Sequence, residues 1–334
     1  MVGTIHLNRG GRNEGIELLR VLCMFGIVCL HVIGYSSIAP FGNSASQSIF
    51  LLHLRYVLNV GVCVFAFISG FYGIKFSVKK ALNLVYIGVF STFCVFFAEI
   101  YLFDVEFSIK SLGQIFFSNW YFREYLILFL ISPFINKFFE NFNKGELKKV
   151  GFPLIILFVW NFFATQFPSS FGQTLSLGNH SAMLLILIYL LARILNKTEF
   201  LEKINTWILL LCFIACLLIL FFFSRLKDFS SPFCIIAAIC LFELFKRLSL
   251  PIMLSKIACF LSPSMLGILL LHNAGSHQMK GGLTHRYFEN FTGNLSGFSF
   301  LKYALIIFTI SLAIDFIRRL LLFLIMRFVG DLRQ

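Results

Sequence analysis

Glu14-Gly-Ile-Glu17-Leu-Leu-Arg20-Val-Leu-Cys-Met-Phe-Gly-Ile-Val-Cys-Leu-His31 opens an apolar run of membrane-spanning length that carries an acid, a guanidinium and an imidazole. At about 100° and 1.5 Å per residue, the steps from Arg20 to His31 make roughly three turns and ~16 Å. Both side chains therefore fall on one helical stripe, and Glu17 falls on it too. An ionisable group inside a span costs about 2.5–3.5 kcal/mol on insertion scales, so three on one face need partners, water or a function.

Working outward, the whole chain reads the same way. Its 334 residues are 59% hydrophobic and include 45 phenylalanines, and the mean hydropathy is +0.88. Such values lie outside the range of a soluble domain of this size. Stretches of spanning length recur near 16–36, 50–73, 81–102, 120–138, 151–167, 179–196, 205–223, 230–246, 252–273 and 300–327. We therefore expect an all-α, polytopic transmembrane helical bundle of about ten spans. Residues 1–15 and 329–334 read as cytoplasmic ends flanking one membrane domain over 16–328.

The basic balance, 28 Lys+Arg against 15 Asp+Glu, is an orientation signal. With the N-terminus in the cytoplasm, about 20 of the 28 basic residues collect on the inner side, which places both termini inside. That distribution argues for membrane lipid and not nucleic acid as the anionic surroundings. Asp104-Val-Glu106 and the loops 168–180 and 274–299 then face outward. A cleaved signal peptide fits the first span poorly, because Arg20 and His31 interrupt it and more spans follow. The nine cysteines lie mostly in apolar helices without a CxxC pair or a His/Cys cluster, so they read as small core residues and no metal is expected.

Two groups of residues carry candidate chemistry. Near the cytoplasmic side, Arg20 sits one turn inside the first span, and the second span ends in Ser69-Gly70-Phe71 followed by Lys75, Lys79 and Lys80. Arg20, Ser69, Lys79 and Lys80 suit the phosphates of a nucleotide-bearing donor. Equally, Ser-Gly is a common helix-packing patch, and lysines at this place satisfy the positive-inside rule. Glu17, three residues before Arg20, is its nearest available partner.

Towards the outer side lie His31, the stretch Trp120-Tyr-Phe-Arg123-Glu124-Tyr125 and Leu269-Leu-Leu-His272-Asn273. A histidine takes and returns a proton near neutral pH, which suits activation of a hydroxyl attacking a thioester. Trp120 offers a stacking face for a sugar, and Arg123, Glu124 and His272 offer polar contacts to an acceptor. The plainer readings are interfacial aromatics, solvated charges at a helix start, and buried histidines bridging helices.

These residues resemble the acyltransferase 3 family of integral membrane O-acyltransferases of bacterial surface polysaccharides. The likeness rests on Glu17, Arg20-ten residues-His31, Ser69-Gly70-Phe71, Trp120-Tyr121, Leu130-Ile-Ser-Pro133-Phe-Ile-Asn136, Ser264-Met-Leu-Gly-Ile-Leu-Leu-Leu-His272 and Ile314-Asp-Phe-Ile-Arg318-Arg319. Taken in order, they span almost the whole chain. The resemblance implies a multi-pass protein of the bacterial plasma membrane. It also implies an acyl group taken from cytoplasmic acyl-CoA, with acetyl-CoA favoured as donor, and delivered to a surface glycan or its lipid-linked precursor. It makes His31 essential to transfer and Arg20 a contact for the CoA moiety. Departures are lysines at 79 and 80 where relatives often have arginines, and Asn119 where a histidine often precedes the tryptophan. The extracytoplasmic hydrolase-like domain of some relatives is not expected here.

The reading that follows is O-acetyl transfer with His31 as general base or acyl relay. Glu17 serves it by neutralising or orienting Arg20, and His272 assists near the acceptor. A transporter or flippase of a glycan, lipid-linked sugar or organic anion would use the same intramembrane Arg and His as a substrate path. No paired-half symmetry of the kind common in transporters is visible in the sequence.

Overall fold

Capping chemistry sets where the apolar runs start and stop. The Asn13 side chain accepts the Ile16 N–H at 3.0 Å and starts α1, Glu14–Ser36. Ser77 accepts the Lys80 N–H at 3.3 Å and starts α4, Val78–Phe103, which ends on Asp104 in the left-handed region at φ 52. Ser181 and Asn205 do the same for α8, Ala182–Thr198, and α9, Thr206–Phe222, while Pro232 occupies the first turn of α10, Pro232–Lys246. Each such cap satisfies a backbone donor that the helix itself leaves unpaired.

The remaining helices of this computed structural model are α2 (Ala45–Leu58), α3 (Val60–Tyr72), α5 (Ile109–Ser118), α6 (Trp120–Glu140) and α7 (Lys144–Gln166). The C-terminal part adds α11 (Ile252–Leu261), α12 (Met265–Asn273) and α13 (Ser299–Asp331). The structure describes residues 12–36, 45–106, 108–166, 180–223, 226, 228–276, 282, 284 and 299–331, and among these there is no strand. The outward loops read at 168–180 and 274–299, like most of the two terminal segments, lie largely outside the described residues.

Every apolar stretch read from the sequence coincides with a helix. Among the described residues, six spans are long and apolar enough to cross a membrane by length and composition, at Glu14–Tyr35, Ile49–Tyr72, Val78–Phe103, Lys144–Ala164, Ile252–Asn273 and Ser299–Ile325. The second breaks at Asn59 between α2 and α3. The fifth breaks at the 3-10 turn Ser262–Ser264, where Pro263 cannot donate to the helical ladder. α5 is an additional helix between the stretches read at 81–102 and 120–138. All nine cysteines are free.

The chain divides into two compact units, the first made of residues 1–27, 49–76 and 120–262 and the second of 28–48, 77–119 and 263–334. In the first unit, α3 packs on α8 and α10, α9 packs on α10, and α6 and α7 pack on α8. The α3–α8 approach is close: a Cβ on Gly70 would stand 2.6 Å from the Tyr189 carbonyl oxygen and 2.8 Å from the Ala192 Cβ. Only glycine fits there. The end of α3 is then held by side chains. The Ile74 N–H donates to the Tyr189 hydroxyl at 3.0 Å, Tyr189 donates to Asn136 at 2.7 Å, and Asn136 donates to the Ile74 carbonyl at 2.9 Å. In the second unit, α12 packs on α4 and α13, and α4 packs on α5.

Candidate active site

α1 runs unbroken through Glu17, Arg20 and His31. Within the first unit, Arg20 Nη1 lies 3.5 Å from Glu17 Oε1, one helical turn apart. The Glu17 side chain is 7% exposed and that of Arg20 is 35% exposed. Glu17 also accepts a hydrogen bond from the Ser262 hydroxyl through Oε2. The carboxylate is thus pinned on both oxygens, while the guanidinium it orients keeps a solvent-accessible face. Ser69 donates to the Phe65 carbonyl of its own helix at 3.0 Å, so its hydroxyl is already used in α3. In the second unit, Lys79 and Lys80 are exposed at the start of α4.

In the second unit, His31 meets His272, with Nδ1 of the first 2.9 Å from Nε2 of the second. Hydrogen-bond chemistry assigns the tautomers. His272 Nδ1 lies 2.6 Å from the Ile268 carbonyl, an acceptor only, so Nδ1 must carry the proton. In the neutral form of His272, Nε2 carries a lone pair and accepts from His31 Nδ1. This leaves His31 Nε2 as a lone-pair nitrogen, the form a general base requires. His272 is 2% exposed, and its carbonyl accepts the Thr284 hydroxyl at 2.6 Å.

Neighbouring contacts fix the two rings. The Tyr35 ring stacks one turn from His31, with centroids 5.9 Å apart and planes at 16°. Its hydroxyl donates to Asn273 Oδ1 at 2.7 Å. The segment after α12 is anchored in turn. Ser118 Oγ accepts the Gly275 N–H at 3.1 Å and Glu99 Oε1 accepts the Ser276 N–H at 2.8 Å.

Trp120, Arg123 and Glu124 lie in the first unit. Arg123 Nε and Glu124 Oε1 pair at 2.8 Å, and Glu124 Oε2 accepts the Ala182 N–H at 3.1 Å. Glu124 therefore joins α6 to the N-terminus of α8, where negative charge is favoured. Trp120 packs edge-on against His180, centroids 4.6 Å apart at 87°, and against Phe229 at 5.5 Å. Burial lowers the His180 pKa from its ordinary value of 6.5, and the Asp228 carboxylate opposes that shift.

A family model described as an acyltransferase domain matches residues 13–317, from the cap of α1 to the middle of α13. The chain belongs to the acyltransferase 3 family. No curated protein and no solved structure matches it. It is thus a membrane protein of an acyltransferase family, with several helices able to span a bilayer.

Two residues of this acyltransferase escaped the sequence reading. Glu99 is 1% exposed in α4, and its signal was available as an acid inside an apolar span. His180 stands beside Trp120 from a distant stretch of chain. An imidazole therefore neighbours the tryptophan even though Asn119 precedes it.

Proposed function

We propose that this acyltransferase moves an acetyl group from cytoplasmic acetyl-CoA to a hydroxyl of a cell-surface glycan or its lipid-linked precursor. We place it in the bacterial plasma membrane with about ten spans and both termini inside. The observation that carries the reading is the His31–His272 pair, with His31 Nδ1 on His272 Nε2 and His272 Nδ1 on the Ile268 carbonyl. His31 removes the proton of the acceptor hydroxyl, whose oxygen attacks the thioester carbonyl. The tetrahedral intermediate then expels the CoA thiolate, which takes up the proton. His272 acts as a positioning residue, because it fixes the His31 tautomer.

At the other end of the same helix, Arg20, oriented by Glu17, contacts a CoA phosphate. The ~16 Å between Arg20 and His31 is comparable with an extended pantetheine arm. Ser69, Lys79 and Lys80 line the donor's approach in this proposal, and Trp120, Arg123 and Glu124 serve the acceptor.

The test is thioester consumption by the purified protein in lipid nanodiscs, with and without a glycan acceptor, alongside ester-linked acetyl on the surface glycan of cells with and without the gene. Acceptor-dependent release of CoA thiol and gene-dependent glycan acetylation are expected. Transport of the glycan without thioester consumption would overturn the proposal.

A further inference from the structure

The second unit contains a cavity of about 590 Å³ whose lining includes Asn83 and Ile87 of α4 and Arg318, Arg319, Phe323 and Arg327 of α13. Three guanidiniums line it. Arg318 is 3% exposed and is forked onto Asp315, Nε to Oδ1 at 2.7 Å and Nη2 to Oδ2 at 3.2 Å. Arg319 donates to the Ser264 hydroxyl at 3.2 Å. Arg327 is exposed, with no hydrogen bond or ion pair among the described residues. Asp315 pairs with Arg318, and Arg327 adds a cation with no ion pair among the described residues.

The shape of the charge matters as much as its sign. Arg319, Phe323 and Arg327 follow at i, i+4 and i+8, so two cations flank one ring along about 12 Å of helix. The wall between them, formed by Ile87, Leu322 and Phe323, is apolar. It continues onto an exposed apolar face of α13, where Leu320 is 57%, Leu324 50% and Phe328 66% exposed. A soluble anion would leave that wall uncovered. An anionic headgroup with acyl chains covers both parts, and basic pockets on the cytoplasmic side of helical membrane proteins bind such lipids.

We infer that this cavity is a binding site for an anionic phospholipid, its phosphate between Arg319 and Arg327 and the upper acyl carbons against Phe323 and Ile87. The inference is independent of the donor and acceptor proposed above, because none of these α13 residues enters that mechanism.

Native mass spectrometry of the full chain in neutral detergent tests it, with phosphatidylglycerol and phosphatidylcholine of identical chains as probes. The phosphatidylglycerol adduct is expected at ~5-fold or more lower lipid concentration than the phosphatidylcholine adduct, from about 1 kcal/mol per basic residue near the headgroup. Arg327→Gln should weaken the phosphatidylglycerol adduct by ~5-fold. Lys148→Gln, an exposed change on α7, should leave it unaltered, and Arg327→Lys should retain it. Melting temperatures of the variants show that the fold is intact. Equal retention of the two lipids would overturn the site, as would an Arg327→Gln variant that binds phosphatidylglycerol like the parent chain. Displacement of the adduct by excess CoA would overturn it too, by assigning the cavity to the donor's phosphates.

Discussion

The two ends of α1 solve opposite electrostatic problems. At its start, in the first unit, Arg20 pairs with Glu17 and keeps a partly exposed face. Near its end, in the second unit, His31 meets a buried His272 whose other nitrogen is committed to a backbone carbonyl. A permanent cation with an exposed face suits capture of a phosphate, which needs charge and no proton movement. An imidazole with one nitrogen fixed as donor suits proton transfer, which needs a lone pair and no permanent charge. In the proposed mechanism one helix offers a binding end and a reacting end, and changes at the two should fail in different kinetic parameters.

The largest expected effect is at the reacting end. His31→Ala should lower acetyl transfer by ~10²–10⁴-fold, the usual contribution of a positioned base, while the protein remains inserted and abundant. Quantitative immunoblotting of membranes beside a thiol-release assay checks this. At the binding end, Arg20→Lys removes the bidentate fork but keeps the charge. It should raise the KM for acetyl-CoA about tenfold with kcat little changed. A fall in kcat at unchanged KM would erase the distinction between the ends.

Smaller effects probe the supports of each unit. In the second, a Cβ on Gly267 of α12 would stand 2.0 Å from Asp315 Oδ1, the carboxylate that holds Arg318. Gly267→Ala should cost about 1–3 kcal/mol of stability, read as a lowered unfolding midpoint in detergent. In the first unit, His180 has a lowered pKa, so the folded chain binds fewer protons there than the unfolded chain. Its contribution is complete above its ordinary value of 6.5 and is lost as the pH falls below it. His180→Phe, which keeps an aromatic edge against Trp120, should flatten that acid-side loss in a melting-temperature series.

Much of the fold was legible because burying a backbone in lipid demands long apolar helices, and length plus hydropathy reveal those. α5 was missed for the same reason. It has ten residues, buries Ser111 and Ile115, and exposes Ile109 and Phe117, so no search for spans detects it. The break before α12 was overlooked in the single stretch 252–273 although Pro263 offered a signal, whereas the break at Asn59 had no comparable one.

Glu17, Arg20 and His31 were readable as candidates from helical spacing alone. The meeting of His31 with His272 joins residues 241 positions apart, and that of Trp120 with His180 depends on helix packing no local pattern encodes. Glu124 had been readable only as a charge. Its role in fastening α8 depends on where the Ala182 N–H lies.

The central claim is that His31 supplies the base and His272 only fixes its tautomer. It is tested most directly by measuring acetyl transfer, as acceptor ester and released CoA thiol, in His31→Gln and His272→Gln side by side. A glutamine at 272 still offers an amide oxygen to the His31 N–H and an amide N–H to the Ile268 carbonyl, so transfer should stay within about tenfold of the parent. A glutamine at 31 has no basic nitrogen, and transfer should fall by at least ~10²-fold. Parental activity in His31→Gln, or an equal collapse in both variants, would contradict the account.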